Sequence, residues 1–291
     1  VSYYSERTGF YTSPRISVIN KIFPSITLES SIGKHYQFVH RLTGDKTTRG
    51  TQGMWVISSE QIPIISSLNT HFGMNWDFSE YTITSEFYFR SMDDLIQFKE
   101  SSIPVTALRN DRGEEESLIN IGSGTANGIE FLLRKRKGLI TGWLSYQRNK
   151  TQYTFPNLNQ GKPFFSDHDK TQEFKSVFMT NIGSWELTAN WVFASGHVYT
   201  DSENVDVENL QIIISSDRNE SRLPPIHHLD VSFSKTWVVS IAKIHTGLSI
   251  YNLYDRNNIS HKRYNPYTSE LTMTDVAMFG ITPTIFLQIS F

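Results

Sequence analysis

The sequence predicts an all-β chain, the antiparallel wall of a transmembrane β-barrel built from about eleven strands. Three observations predict it. Apolar and polar residues alternate with a period of two along long segments, the connections between segments alternate short and long, and aromatic residues gather near segment ends. Successive side chains of a strand face opposite ways, so this alternation gives one face suited to lipid and one suited to water. Short turns at one end and long loops at the other are the arrangement of outer-membrane barrels, and aromatic girdles mark the membrane interfaces.

Taken in order, strands are predicted near 13–22, 26–39, 66–78, 81–98, 124–137, 139–153, 169–182, 184–199, 227–239, 241–252 and 280–291. The first two meet at Phe23-Pro24-Ser25, where proline and serine mark a turn. In 66–78, Leu68, Thr70, Phe72, Met74, Trp76 and Phe78 share one face, while Asn69, His71, Gly73, Asn75 and Asp77 share the other. Segment 185–193 sets Trp185, Leu187, Ala189, Trp191 and Phe193 against Glu186, Thr188, Asn190 and Val192. The last segment sets Ile281, Pro283, Ile285, Leu287, Ile289 and Phe291 against Thr282, Thr284, Phe286, Gln288 and Ser290. Further short connections lie at 77–81, 136–138, 181–183 and 238–240. Long polar loops lie near 40–65, 99–123, 154–168, 200–226 and 253–279, and are expected on the extracellular side.

Composition narrows the alternatives. Of 291 residues, 38% are hydrophobic and 13% aromatic, too little apolar surface for a helical membrane protein and too much aromatic content for a disordered chain. No run approaches the 18 or so apolar residues of a spanning helix. A net charge of −2 gives no basic footprint, so no nucleic-acid partner is expected. The absence of cysteine excludes disulfide frameworks, thiolate metal sites and cysteine nucleophiles. Val1-Ser-Tyr-Tyr-Ser-Glu-Arg lacks the basic-then-apolar pattern of a signal peptide, so an exported protein would carry this chain as a mature or partial segment. A soluble sandwich or jelly roll also alternates its faces, but strands of 12 residues or more, alternating connections and clustered aromatics favour the membrane barrel.

Several motifs resemble one family. Gly122-Ser-Gly-Thr-Ala-Asn-Gly-Ile-Glu130, followed by Gly138-Leu-Ile-Thr-Gly-Trp-Leu-Ser-Tyr146, is similar to the strand pair Gly-x-Gly-x-Ala-x-Gly-x-Glu and Gly-x-x-x-Gly-Trp-x-Ser-Tyr of TonB-dependent receptors. Asp167-His-Asp-Lys-Thr-Gln-Glu-Phe174 occupies the place of the family's Asp-Arg-x-His, without its Arg. Ser195-Gly196 with Tyr199-Thr200, Arg222-Leu-Pro-Pro-Ile-His-His-Leu-Asp230, Tyr251-Asn-Leu-Tyr-Asp-Arg-Asn-Asn258 and Phe291 follow in the family's order. Pro14-Arg-Ile-Ser-Val18, Ser31-Ile-Gly-Lys-His-Tyr-Gln-Phe38 and Glu86-Phe-Tyr-Phe-Arg-Ser-Met-Asp-Asp-Leu-Ile96 look like upstream barrel strands in the subgroup common in Bacteroidetes.

The resemblance covers essentially residues 1–291 and implies the C-terminal half of a barrel of about 22 strands, with Ser13–Ile22 as strand twelve and Val1–Thr12 as the preceding loop. The plug domain, the TonB box and the first barrel half have no counterpart in this sequence. Implied partners are outer-membrane lipid, the N-terminal barrel half and plug of the same protein, TonB through that plug, and a nutrient ligand: siderophore, haem, cobalamin, glycan or peptide. A passive small porin or structural outer-membrane barrel is the alternative reading.

Candidate chemistry is sparse. Asp167-His168-Asp169 and His227-His228 carry metal-ligand residue types, but neighbours in an extended chain diverge, so both are expected to be structural. Glu114-Glu-Glu116 reads as a solvated loop. No Gly-x-Ser-x-Gly and no phosphate loop occurs, and no catalytic residue, cofactor or metal is expected; a lipid-acting enzyme would need a Ser and a His brought together across strands. Tyr153, Phe155, Phe164, Phe165, Tyr199, Tyr264 and Tyr267 lie at long-loop ends, where rings can stack on a ligand or simply pack the loops. Leu287, Ile289 and Phe291 are the expected outer-membrane assembly signal.

Overall fold

The computed structural model describes residues 2–5, 9–42, 54–98, 119–207, 210–215, 217–264 and 273–291. One sheet dominates. Its strands are β1 (Arg15–Phe23), β2 (Ile26–Gln37), β3 (Ile65–Phe78), β4 (Tyr81–Phe98), β5 (Ile119–Lys135), β6 (Ile140–Thr154), β7 (Gln172–Ile182), β8 (Trp185–Ala194), β9 (Ile226–Val239), β10 (Ala242–Tyr251) and β11 (Thr282–Ser290). Each pairs antiparallel with its neighbours in chain order, an up-and-down meander, and the short strand Phe164–Phe165 adds to the far end of β6. Among the described residues β1 pairs only with β2, and β11 only with β10.

The register separates two chemistries. Phe72 lies opposite Ser30 and Phe87, and His71 opposite Ser31 and Tyr88. One face therefore carries Leu68, Phe72, Trp76, Phe87, Ile129, Phe131, Leu187 and Phe233, all exposed, and Ile285, Leu287 and Ile289 of β11 continue it. In water this apolar surface would far exceed the patch a monomer leaves open, but in lipid it is what a barrel wall requires. The opposite face carries Glu29, His71, Glu86, Arg90, Glu130, Gln147 and Glu173. The faces read from the sequence in 66–78, 185–193 and 281–291 are the faces of β3, β8 and β11.

Turns of two residues join β1–β2, β3–β4, β7–β8 and β9–β10, and residues 136–139 join β5–β6. Ser79, Gly183 and Ser240 adopt φ of 51°, 61° and 56°, the left-handed geometry that lets a tight turn follow the sheet's twist. The opposite end differs from the simple loops expected. Val39–Leu42 pairs with Met54–Ile57, Ser202–Val207 with Leu210–Ser215, and Ile259–Tyr264 with Met273–Ala277, so the long connections carry hairpins of their own. Ser2–Tyr4 pairs with Gly9–Tyr11 in the segment expected as a loop.

Two boundaries also move, and one strand carries a bulge. β5 starts at Ile119, five residues before the expected start. β8 stops at Ala194, because the chain leaves the sheet at Ser195-Gly196 before a separate two-residue strand at Val198–Tyr199. In β4 the register shifts between Met92 and Leu95, with Asp94 at φ 61°, a bulge that turns Leu95 onto the polar face. The buried apolar side chains among the described residues, Ile64, Phe155, Leu158, Phe164, Ala194, Val198, Leu223 and Ile226, all lie toward the long-connection end. The sheet itself has no core of its own.

Candidate functional site

The long-connection end is built over β5. Its residues 122, 124 and 128 are glycines on the polar face, and rings occupy the space that side chains would fill: Phe155 lies over Gly122, Tyr153 over Gly124 and Tyr88 over Gly128. Phe155, Leu158 and Phe164 form a buried cluster, with Leu95 and Tyr153 packed against it. Phe155 and Phe164 stack at 6.1 Å between ring centroids, and Tyr153 meets Phe164 edge-on at 6.4 Å.

A second layer of polar contacts fastens the 195–225 connection to this cluster. Arg222 Nη2 donates to Asp169 Oδ2 at 2.7 Å and to Thr171 Oγ1 at 3.0 Å, and its Nη1 donates to the Gly196 carbonyl at 2.8 Å. Asn219 Nδ2 donates to the Phe165 carbonyl at 2.8 Å and to Asp167 Oδ1 at 2.7 Å. The Arg218 amide donates to Asn159 Oδ1 at 2.7 Å. The Arg218 guanidinium sits over the Phe164 ring and that of Arg222 over Phe165.

Asp167 and Asp169 therefore serve different partners, and among the described residues no group of three His, Asp or Glu converges to hold a metal ion. His228 bonds Asp230 at 2.9 Å while His227 bonds Tyr254 at 2.7 Å, so these neighbours also diverge. Glu114–Glu116 lie outside the described residues.

Of the rings singled out by sequence, Tyr153, Phe155, Phe164 and Phe165 come together. Phe155 and Phe164 are spent on loop packing. Tyr153 and Phe165 are half-buried. Tyr199 stands apart, with Lys262 Nζ 4.9 Å above its ring. Tyr267 and the side chain of Tyr264 lie outside the described residues. Leu287 and Ile289 are exposed on the apolar face, beside Thr246 and Ile244 of β10, and Phe291, one residue past β11, is exposed as well.

The 251–258 motif forms another clamp, in which the side chain of Asn252 is wholly buried. Its Nδ2 donates to the carbonyls of Arg256 and Phe279, its Oδ1 accepts from the Arg256 amide, and its own amide donates to Asp230 Oδ1. Asn258 closes a pair of bonds with the backbone of His227, donating to its carbonyl and accepting from its amide, both at 3.0 Å. Asn252 and Asn258 thus hold connections, while Leu253 and Tyr254 between them are exposed.

Sequence reasoning assigned the polar face but did not single out the acidic row that crosses it. Glu29, Gly73, Glu86, Glu130, Gln147 and Glu173 are cross-strand partners in one continuous row over β2 to β7. His71 stands between Glu29 at 3.4 Å and Glu86 at 3.7 Å, and Lys175 pairs with Glu173 at 2.6 Å. Glu130, directly opposite Glu86, has no ion-pair partner among the described residues. Four carboxylates thus cross six strands, with lysines gathered at the Glu173 end and the single imidazole of His71 between Glu29 and Glu86.

One Ser and one His do meet. His40 Nε2 lies 2.7 Å from Ser58 Oγ, and Ser58 Oγ donates to the Pro63 carbonyl at 3.1 Å. The serine hydroxyl is directed at a carbonyl, Ser58 is 0% exposed, and among the described residues His40 Nδ1 has no partner where a triad would place a carboxylate. Burial pushes the His40 imidazole below its ordinary value, with a smaller opposing effect from the Pro63 backbone. The pair packs a hairpin, joining its two strands through buried side chains.

Such a sheet, apolar on one face, polar on the other, and turned tightly at one end only, is the wall of a transmembrane β-barrel. Known structures make the assignment more particular. The chain matches the ferric yersiniabactin uptake receptor FyuA from Yersinia pestis with a TM-score of 0.60 at 12% identity, over 94% of this chain and 36% of that one. It matches the copper transporter OprC at 0.62 and 13% identity, over 95% and 38%, and the FrpB iron transporter from Neisseria meningitidis at 0.56 and 13%, over 95% and 38%. The chain spans little more than a third of the length of these structures. No model of a known protein family matches it, and no curated protein does. Its fold is that of the C-terminal part of the barrel in TonB-dependent outer-membrane receptors. These neighbours are transporters and receptors, which points away from catalysis.

Proposed function

We propose that the chain is the C-terminal barrel portion of a TonB-dependent receptor that takes up a scarce nutrient across the Gram-negative outer membrane. The observation that carries this is the pairing of an eleven-strand meander, apolar toward lipid, with a continuous row of Glu29, Glu86, Glu130 and Glu173 on the face that would line the lumen. The remaining strands of the same protein close the barrel through β1 and β11, because an open edge in hydrocarbon leaves backbone groups unpaired. The plug packs against the acidic row and couples to TonB. The long connections face outward, where Tyr153, Phe165 and Tyr199 offer ring surface to a siderophore, haem, cobalamin, glycan or peptide, with Phe155 and Phe164 supporting Tyr153 from behind. Leu287, Ile289 and Phe291 are read by the assembly machinery, and their exposure on one edge of the sheet supports that reading.

The test is uptake by cells lacking this protein, supplied in turn with each nutrient class as sole source, with and without functional TonB. The expected result is a growth defect on one class that loss of TonB reproduces. Uptake that persists without TonB, together with solute-driven swelling of vesicles holding the complete protein, would instead establish the passive porin.

A further inference from the structure

On the apolar face of β7 to β11 every side chain that alternation turns outward is neutral or histidine, with one exception. That exception is Lys235, in register with Trp185 on β8, Thr246 on β10 and Leu287 on β11. Its ammonium lies 3.8 Å from the centroid of the Trp237 ring and 5.2 Å from that of Trp185. No carboxylate pairs with it among the described residues; Asp230, the nearest acidic residue in sequence, and Glu186, beside its register partner Trp185, both belong to the polar face. Trp185 is the first residue of β8, directly after the turn at 183–184, which places the three side chains at the tight-turn rim of the apolar band. Both tryptophans stay open, 42% and 45% exposed.

A cation held at this level needs an anion. Two indole faces fix the ammonium and stabilise it by cation–π attraction, yet rings supply no counter-charge, and an ammonium has three donors and accepts nothing. Interfacial tryptophans sit at headgroup depth, and the surface around them, Leu187, Phe233 and Leu287, is apolar and suited to acyl chains. We infer that Lys235, Trp185 and Trp237 form a binding site for the phosphate of an anionic glycerophospholipid, the ammonium donating to phosphate oxygens while the tryptophans border the headgroup. Net charge selects an anionic lipid over a zwitterionic one, whose own ammonium already neutralises the phosphate. The inference rests on the apolar face meeting lipid and is independent of the transported nutrient.

The complete protein, reconstituted in vesicles, tests it through quenching of tryptophan fluorescence by brominated phosphatidylglycerol against brominated phosphatidylcholine. Quenching by both lipids shows that the apolar face meets acyl chains, so a failure of the barrel reading is distinguishable from a failure of the site. The expected wild-type preference for the anionic lipid is about five-fold, the weight of one basic residue at a membrane surface. It falls to parity in Lys235→Gln, survives in Lys235→Arg, and shrinks in wild type as salt screens the charge. Trp237→Leu, which keeps the charge and removes the clamp, lowers it as well. Inorganic phosphate at millimolar concentration leaves the preference unchanged if the occupant is a lipid. An anionic preference equal in Lys235→Gln and wild type overturns the site, and so does competition by free phosphate.

Discussion

Arg222 and Asp169 meet at 2.7 Å across 53 residues of sequence, and the Asp169 side chain is wholly buried while that of Arg222 is 28% exposed. The pair ties the start of β7 to the returning connection before β9. Asp169 Oδ1 also accepts from the Thr151 amide at the end of β6. Breaking a buried pair by removing one partner leaves an uncompensated charge, here softened by the partial exposure of Arg222. Asp169→Ala is expected to destabilise the outer end by about 2–3 kcal/mol, below the value for a fully buried pair. Hydrogen exchange should rise in 155–171 and 217–225 and stay unchanged near the turns at 79–80 and 183–184. Uniform exchange across the sheet would mean that the pair holds the fold as a whole.

Two glycines separate backbone geometry from space. Gly142 has φ +147°, and a Cβ there would stand 2.0 Å from the Val177 carbonyl oxygen, so neither the conformation nor the neighbour accommodates a methyl group. Gly183 has φ +61° with open space around it. Gly142→Ala is therefore expected to cost about 3 kcal/mol or prevent assembly, whereas Gly183→Ala costs about 1 kcal/mol from its left-handed backbone alone. Urea unfolding of the protein in vesicles measures both, and equal losses would show that backbone strain dominates.

The legible part of the fold follows from period two. In 66–78, 185–193 and 281–291 the alternation assigns both faces because lipid and lumen select opposite chemistries. The bulge at Met92 to Leu95 left no mark, since Asp93-Asp94 is neither a glycine nor a proline and its left-handed residue emerges only from pairing with β5. The outer hairpins were invisible because pieces as short as Val39–Leu42 show no usable alternation. Phe155 and Phe164 are legible as rings at a loop end, but whether such a ring faces ligand or core depends on Leu158 and Leu95, placed by tertiary contact. The same holds for Asn252, whose burial is set by Asp230 and Phe279, 22 and 27 residues away. The acidic row is hidden altogether in sequence, because its members share no spacing and only the register aligns them.

His40 gives the outer end a pH dependence of known sign. Burial favours its neutral form in the folded hairpin, so its folded value lies below the ordinary 6.5. The folded state then binds fewer protons than the unfolded one at pH values between the two, and stability falls as pH drops through that window. Above about 6.5 the contribution is complete and flat. Proteolysis at 59–64 should accelerate as pH is lowered from 7.5 toward 5, and His40→Gln should remove the dependence. A faster cut at high pH would reverse the assignment.

Met74 and Asn75 test the two faces at one point of the wall. Met74 lies opposite Leu28 and Ser85 on the apolar face, and Asn75 opposite Thr27 and Thr84 on the polar face, where its Oδ1 accepts from the Thr84 hydroxyl at 2.7 Å. A lysine ammonium at position 74 must leave water for hydrocarbon or bend its stem toward the headgroups, and near the bilayer midplane this costs about 2–4 kcal/mol. At position 75 the same charge enters a hydrated face two residues from the row that holds Glu29 and Glu86, where carboxylates attract it. Only the hydrogen bond to Thr84 is lost, worth about 1 kcal/mol. Met74→Lys should therefore lower folding stability in vesicles by at least 1–2 kcal/mol more than Asn75→Lys. In thin bilayers the difference should narrow, because the snorkelling path shortens. Equal losses at the two positions in a bilayer of ordinary thickness would mean that Met74 does not face lipid and that the wall is turned the other way.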